Sequence, residues 1–199
     1  MSNAFLEAIK ARRSIYALGP TLPLSEDQVT HIIMDAVKLS PSAFNSQTSR
    51  VVILFGEQHR KVWDITRRQL QKIVPAESFE PTEKKLASFA AGAGTVLFFE
   101  DTEVVKALQK KFATYADNFP VWSEHSTGIA QFAVWSALAQ EHIGASLQHY
   151  NPLIDDDIKT AWSLPESWHL RAEMPFGAIE QPAGDKTFIP DDHRFRIFK

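Results

Sequence analysis

The chain of 199 residues contains no cysteine. That excludes a disulfide framework, a zinc–thiolate site, an iron–sulfur cluster and a cysteine nucleophile, and it points to a reducing, cytoplasmic setting. Charge bias is missing too: 21 Lys and Arg stand against 24 Asp and Glu, a net charge of −3. Nothing electrostatic therefore favours nucleic acid as a partner. Long apolar runs are absent. The most apolar stretch, Phe89 to Phe99, is interrupted by Gly92, Gly94 and Thr95, well short of the roughly 20 residues that span a membrane. The opening segment MSNAFLEAIKARRS places its cations after its apolar positions, opposite to a secretory signal.

The common catalytic signatures are lacking as well. There is no GxSxG, HExxH or P-loop lysine motif. Gly92-Ala93-Gly94 is the only G-x-G; it precedes a strand, and Leu97 stands where the third glycine of a dinucleotide fingerprint belongs. The seven histidines are scattered, none three or four residues from another. Asp155-Asp156-Asp157 reads as the acidic first turn of a helix, which suits the helix dipole. The same three acids could suggest a metal, but hydrolase and metalloenzyme readings have little to stand on.

What is present is an ordinary globular composition, 44% hydrophobic and 23% charged, with the length of one compact domain over 1–199. Periodicity predicts helices over 3–13, 25–39, 58–74, 82–91, 102–115 and 127–143, with a short helix after Asp155. Ser25 and Gln28 form a capping-box pattern, Pro41 stops the second helix, and Gly144 is placed to close the long one. Strands are expected over 50–55, 95–99, 145–149 and within 171–179. The fold class is α+β: a small mixed sheet surrounded by helices. The helix 127–143 is apolar almost all round, so it belongs at the domain centre or a subunit interface.

Two polar segments interrupt this pattern. Arg12-Arg13-Ser14 sets two guanidiniums and a hydroxyl at a helix end, suited to a phosphate or simply to the helix dipole. In Ser40-Pro41-Ser42-Ala43-Phe44-Asn45-Ser46-Gln47, Asn45 and Gln47 each carry an amide donor and acceptor. Paired amides can read the edge of a flavin; local Asx and Ser hydrogen bonds account for the same residues as a solvated turn.

Together, flanking a capped helix and leading into a strand, the two segments resemble the nitroreductase family, in particular its small stress-associated branch. The resemblance covers nearly the whole chain. It implies bound FMN, NAD(P)H as donor, a homodimer with the flavin at its interface, and 127–143 as the central dimer helix. Arg12, Arg13 and Ser14 would then hold the phosphate and part of the ring edge. Ser42, Asn45 and Gln47 would contact the flavin, some from the other subunit. Leu147, Gln148 and His149, within Ser146 to Tyr150, would cover one ring face, and Lys186 would reach the phosphate. No protein nucleophile is implied, since the flavin does the chemistry; the partner is a small-molecule acceptor such as a nitroaromatic or quinone.

Two positions depart from the family pattern. Tyr16 and Phe188 stand where many relatives carry a cation, and Arg194 or Arg196 are the available substitutes. The departure motivates an alternative, a flavin-binding regulatory or sequestering protein with little turnover.

Overall fold

The structure, a computed structural model, describes residues 3–199. In chain order its elements are α1 (Ala4–Ala11), β1 (Leu18–Gly19), α2 (Glu26–Leu39), β2 (Ser49–Phe55), α3 (Gly56–Leu70), α4 (Glu80–Ala90), β3 (Gly94–Asp101), α5 (Thr102–Lys111), α6 (Phe119–Gln140), β4 (Gly144–Ala145), α7 (Asp155–Trp162), β5 (Trp168–Ile179) and α8 (Asp191–Arg194). The sheet runs β1-β5-β3-β2, with β4 also on β5. Every ladder is antiparallel. Parallel pairing among the described residues is confined to one isolated bridge, Ser14 to Ala145.

Strand alternation builds two cores, one on each face. Val96, Phe98, Ala172, Met174 and Phe176 meet Val29 and Ile33 of α2 and Val134 and Leu138 of α6. On the opposite face, Leu97, Phe99 and Leu170 meet Trp63 of α3 and Phe89 of α4. With both faces covered, β3 is buried from Gly94 to Glu100, which is why it reads as a continuous apolar run.

The capping box forms as expected: the Gln28 N–H donates to Ser25 Oγ at 3.3 Å, and the Ser25 N–H to Gln28 Oε1 at 3.0 Å. The long helix differs at both ends. α6 begins at Phe119, because Pro120 lies in its first turn, where a missing N–H goes unnoticed. It stops at Gln140, and His142 rather than Gly144 takes the left-handed conformation (φ 57°). Gly144 instead belongs to β4, paired with Gly177. The expected strand 145–149 is interrupted. Gly144, Ala145 and Gln148 pair in one register with Gly177, Phe176 and Glu173, which puts Ser146 opposite Pro175. The Ser146 N–H reaches the Pro175 carbonyl at 3.3 Å, but proline has no N–H to return.

Beyond Ile179 the chain leaves the sheet, and Phe188, Ile189, Phe195, Ile197 and Phe198 are exposed. No helix among the described residues is long and apolar enough to cross a membrane.

His59 of α3 is fully buried. Its Nδ1 lies 2.7 Å from the Thr95 hydroxyl, which also accepts from Trp63 Nε1 at 3.1 Å, and its Nε2 lies 3.2 Å from the Ala90 carbonyl. Burial depresses the imidazole from 6.5 to about 4. The neutral ring therefore contributes stability that is complete above the unfolded value and is lost as pH falls toward the folded one. Urea unfolding from pH 7 down to pH 4 should show the wild type losing about 3 kcal/mol more than His59→Gln.

Candidate functional site

α1 ends because Arg12 is extended (φ −67°, ψ 116°), and the turn releases two guanidiniums side by side. Arg12 lies over the Trp135 ring of α6, 4.3 Å from its centroid. Burial, then the charge of Arg13, pulls the Arg12 pKa below the usual arginine value. Arg13 Nη2 donates to the Gly184 carbonyl at 2.5 Å. Through that contact the segment after β5 comes back across the end of α1. Arg12, Arg13, Ser14, Tyr16, Asp185 and Lys186 line a cavity of about 530 Å³. Three cations against one carboxylate give this cavity, the candidate anion pocket, a positive lining, and Arg forks suit a phosphate.

The segment after α6 is tied to the same place. The Ile15 N–H donates to the Ala145 carbonyl at 2.9 Å, and Trp135 Nε1 donates to the same oxygen at 3.1 Å. Past this anchor Leu147 packs on the first core. Gln148 is buried, its Nε2 donating to Ser146 Oγ at 3.0 Å, and His149 is exposed.

The Ser42–Gln47 loop stands apart. Ser42 and Gln47 line a separate cavity of about 190 Å³ with Lys38, Ser49, Arg50 and Ser126; Asn45 is exposed and lines neither. Phe44, Asn45 and Gln47 are all left-handed, at φ 57°, 50° and 47°. Residues other than glycine hold this conformation at roughly 1–3 kcal/mol each, so the surroundings must over-determine it. They do. The Ser42 carbonyl accepts the Asn45 N–H at 2.9 Å, and Ser42 Oγ accepts the Gln47 N–H at 3.0 Å. Arg50 donates to the Gln47 carbonyl at 2.6 Å while pairing with Asp101, the N-cap of α5, at 3.1 Å. Phe44 packs among Phe112, Tyr115, Phe119 and Trp122, with centroids 4.9 to 5.9 Å away. Beneath the loop, buried Glu100 accepts from the hydroxyls of Thr127 and Ser49. Burial raises its pKa above the usual carboxylate range, against the pull of those hydroxyls.

One chain thus gathers Arg12, Arg13, Ser14 and Lys186, ties the Ala145–His149 segment beside them, and keeps Ser42 and Gln47 in a different cavity. An apolar groove of about 430 Å³ runs beside Ser40 and Pro41, lined by Phe5, Leu39, Ile129 and Phe132. Tyr16 and Phe188 are exposed, and neither Arg194 nor Arg196 lines the anion pocket. Arg194 sits by Phe195, and Arg196 donates to carbonyls of its own segment. Residues that sequence reasoning missed are Trp135 and Glu100. Trp135 looks like one more apolar residue of α6; Glu100 carried a readable signal, an acid beside Asp101 at the end of an apolar strand.

A family model described as the nitroreductase family matches residues 9–178. HBN1 of Saccharomyces cerevisiae is 38% identical over 190 residues, 94% of each chain. The nitroreductase CinD of Lactococcus lactis, solved with 4-nitrophenol, is 50% identical over 98% of this chain and all of its own, with a TM-score of 0.90. A nitroreductase of Desulfitobacterium hafniense with bound FMN shares the fold at 15% identity and a TM-score of 0.72, both chains fully covered.

Removing the Trp135 indole while keeping an apolar residue tests its two contacts, with Arg12 and with the Ala145 carbonyl, together. Trp135→Leu should weaken binding of inorganic phosphate to the cationic cavity about tenfold, measured by isothermal titration calorimetry, because one cation–π contact and one hydrogen bond are lost.

Proposed function

The chain belongs to the nitroreductase family, a family of oxidoreductases, and on that premise we propose that it is an FMN-dependent NAD(P)H oxidoreductase of nitroaromatics or quinones. The observation that carries this reading is the convergence of Arg12, Arg13, Ser14 and Lys186 on one cavity, beside the Ala145 anchor. The donor set fits the cofactor: two planar forks, an ammonium and a hydroxyl for a phosphate dianion, with a single carboxylate among them.

Bound FMN supplies the two-electron exchange between nicotinamide and acceptor. Arg12 and Arg13 bind the phosphate and present positive charge to the ring edge, and Lys186 closes on the phosphate from the C-terminal side. Leu147, Gln148 and His149 shield one ring face from water. Ser42, Asn45 and Gln47 orient the ring from a second subunit, which accounts for their separation from the cationic cavity in one chain. The apolar groove at Leu39 and Ile129 and the exposed aromatic residues beyond Ile179 support a homodimer. The aromatic cluster around Phe44 suits a flat acceptor, in keeping with the 4-nitrophenol and chloramphenicol found on CinD.

Tyr16, at a wall of the anion pocket where the family often has a cation, favours the second reading of a flavin-binding protein with little turnover. The two are separated by NADH and NADPH oxidation in the presence of a nitroarene or quinone. The oxidoreductase shows parallel double-reciprocal lines, the ping-pong form of a site shared in turn by donor and acceptor. Turnover no faster than that of free FMN selects the binding protein, and a colourless protein that takes up no FMN overturns both.

A second expectation concerns assembly. Ile129→Arg puts a charge into the apolar groove, so the variant should run as a monomer in light scattering and lose most of its FMN, while keeping wild-type far-ultraviolet circular dichroism.

A further inference from the structure

Glu173 has no part in the cavities described above, yet it is among the most unusual residues of the chain: a carboxyl in the middle of a central strand with no exposed surface. In the β3–β5 ladder it stands opposite Leu97, a member of the second core, so its side chain enters apolar surroundings. One carboxyl oxygen, Oε2, accepts the Tyr150 N–H at 2.9 Å, and the other has no partner. The backbone of the same residue exchanges two hydrogen bonds with Gln148: the Gln148 N–H donates to the Glu173 carbonyl at 2.7 Å, and the Glu173 N–H donates to the Gln148 carbonyl at 3.0 Å.

These three bonds lie where the sheet fails to hold the chain. Pro175 cannot donate to Ser146, so β4 ends at Ala145 and the ladder resumes only at the Gln148–Glu173 bridge. Between that bridge and α7 the chain turns through Tyr150, Asn151 and Pro152, and the Glu173 carboxyl is the partner of the Tyr150 N–H. Burial, reinforced by the nearby charge of Asp155, pushes the Glu173 carboxyl up to about 8. At neutral pH it is largely the protonated acid, whose carbonyl oxygen still accepts from Tyr150. A group that unfavourable to bury is replaced at little loss by an apolar residue unless its acceptor is needed.

We infer that Glu173 is a positioning residue, whose backbone bridge to Gln148 and carboxyl bond to Tyr150 fix the height and tilt of the Leu147–His149 segment against the flavin ring. The inference rests on the reading above that this segment covers the ring. Glu173 touches neither cofactor nor acceptor; it acts through the two residues it grips.

The test compares Glu173→Gln, which keeps a neutral acceptor of the same shape, with Glu173→Met, which removes it. In the cofactor-free wild type the Tyr150 amide should be protected from hydrogen exchange like that of Gln148. It should stay protected in Glu173→Gln and exchange about tenfold faster in Glu173→Met. With FMN added, Glu173→Gln should reproduce the wild-type visible circular dichroism of the bound flavin, and Glu173→Met should shift it. Wild-type protein whose Tyr150 amide exchanges as freely as an exposed loop amide overturns the inference, even where Glu173→Met does not fold. A Glu173→Met protein that binds FMN with the wild-type spectrum overturns it alone, leaving the oxidoreductase reading intact. Wild-type protein that takes up no FMN overturns both.

Discussion

One carbonyl oxygen, that of Ala145, holds the site together. It accepts from the Ile15 backbone and from the Trp135 indole, so three stretches far apart in sequence meet at a single atom. Each brings something the others lack. The segment after α1 brings the arginines, α6 brings the aromatic surface on which Arg12 rests, and β4 brings a connection to the sheet. A carbonyl has two lone pairs, and a buried one that uses both is fixed in two directions at once. The positions of Arg12 and of the chain after Ala145 are therefore set by the same bonds.

The sheet explains why that anchor can be rigid. β3 and β5 pair along eight residues of β3 from Gly94 to Asp101, with a core on each side. β5 pairs with β3, β1 and β4, so the strand that grips Gln148 also lies in the best-packed layer. α6 differs from the other helices in being apolar toward the core and along its outer groove. The first face needs no further explanation; the second is the surface that the proposed homodimer covers.

Much of this was legible in the sequence. The runs of β2, β3 and β5 and the amphipathic pattern of α2 identify themselves, because burial imposes a period that apolar residues must follow. Arg12-Arg13-Ser14 and the Ser42–Gln47 loop stood out because polar clusters that break such a period call for a reason. The rest was hidden by tertiary context. β1 is two residues long and has no pattern. Pro120 reads as a boundary until it is known to lie in a first turn, and His142 gives no notice that it will replace glycine at a left-handed position. Pro175 did carry a signal, a strand proline, but only the register shows that its missing donor faces Ser146. Trp135 and Glu173 could not be found at all, since an indole in an apolar helix and one acid in a strand say nothing about which distant backbone atom they will reach.

The left-handed run at Phe44, Asn45 and Gln47 ties its loop to one corner of the molecule. A loop of this shape is usually written with glycine, which adopts it without help. Here it is imposed by the ring cluster from α5, the turn after it and the start of α6, and by Arg50 reaching to the N-cap of α5. None of these supports exists until that corner of the chain has packed. The loop therefore cannot hold its native form without that corner, and it serves as a check on it: a chain with its sheet complete but its α5–α6 corner loosened keeps its secondary structure and lacks this loop conformation.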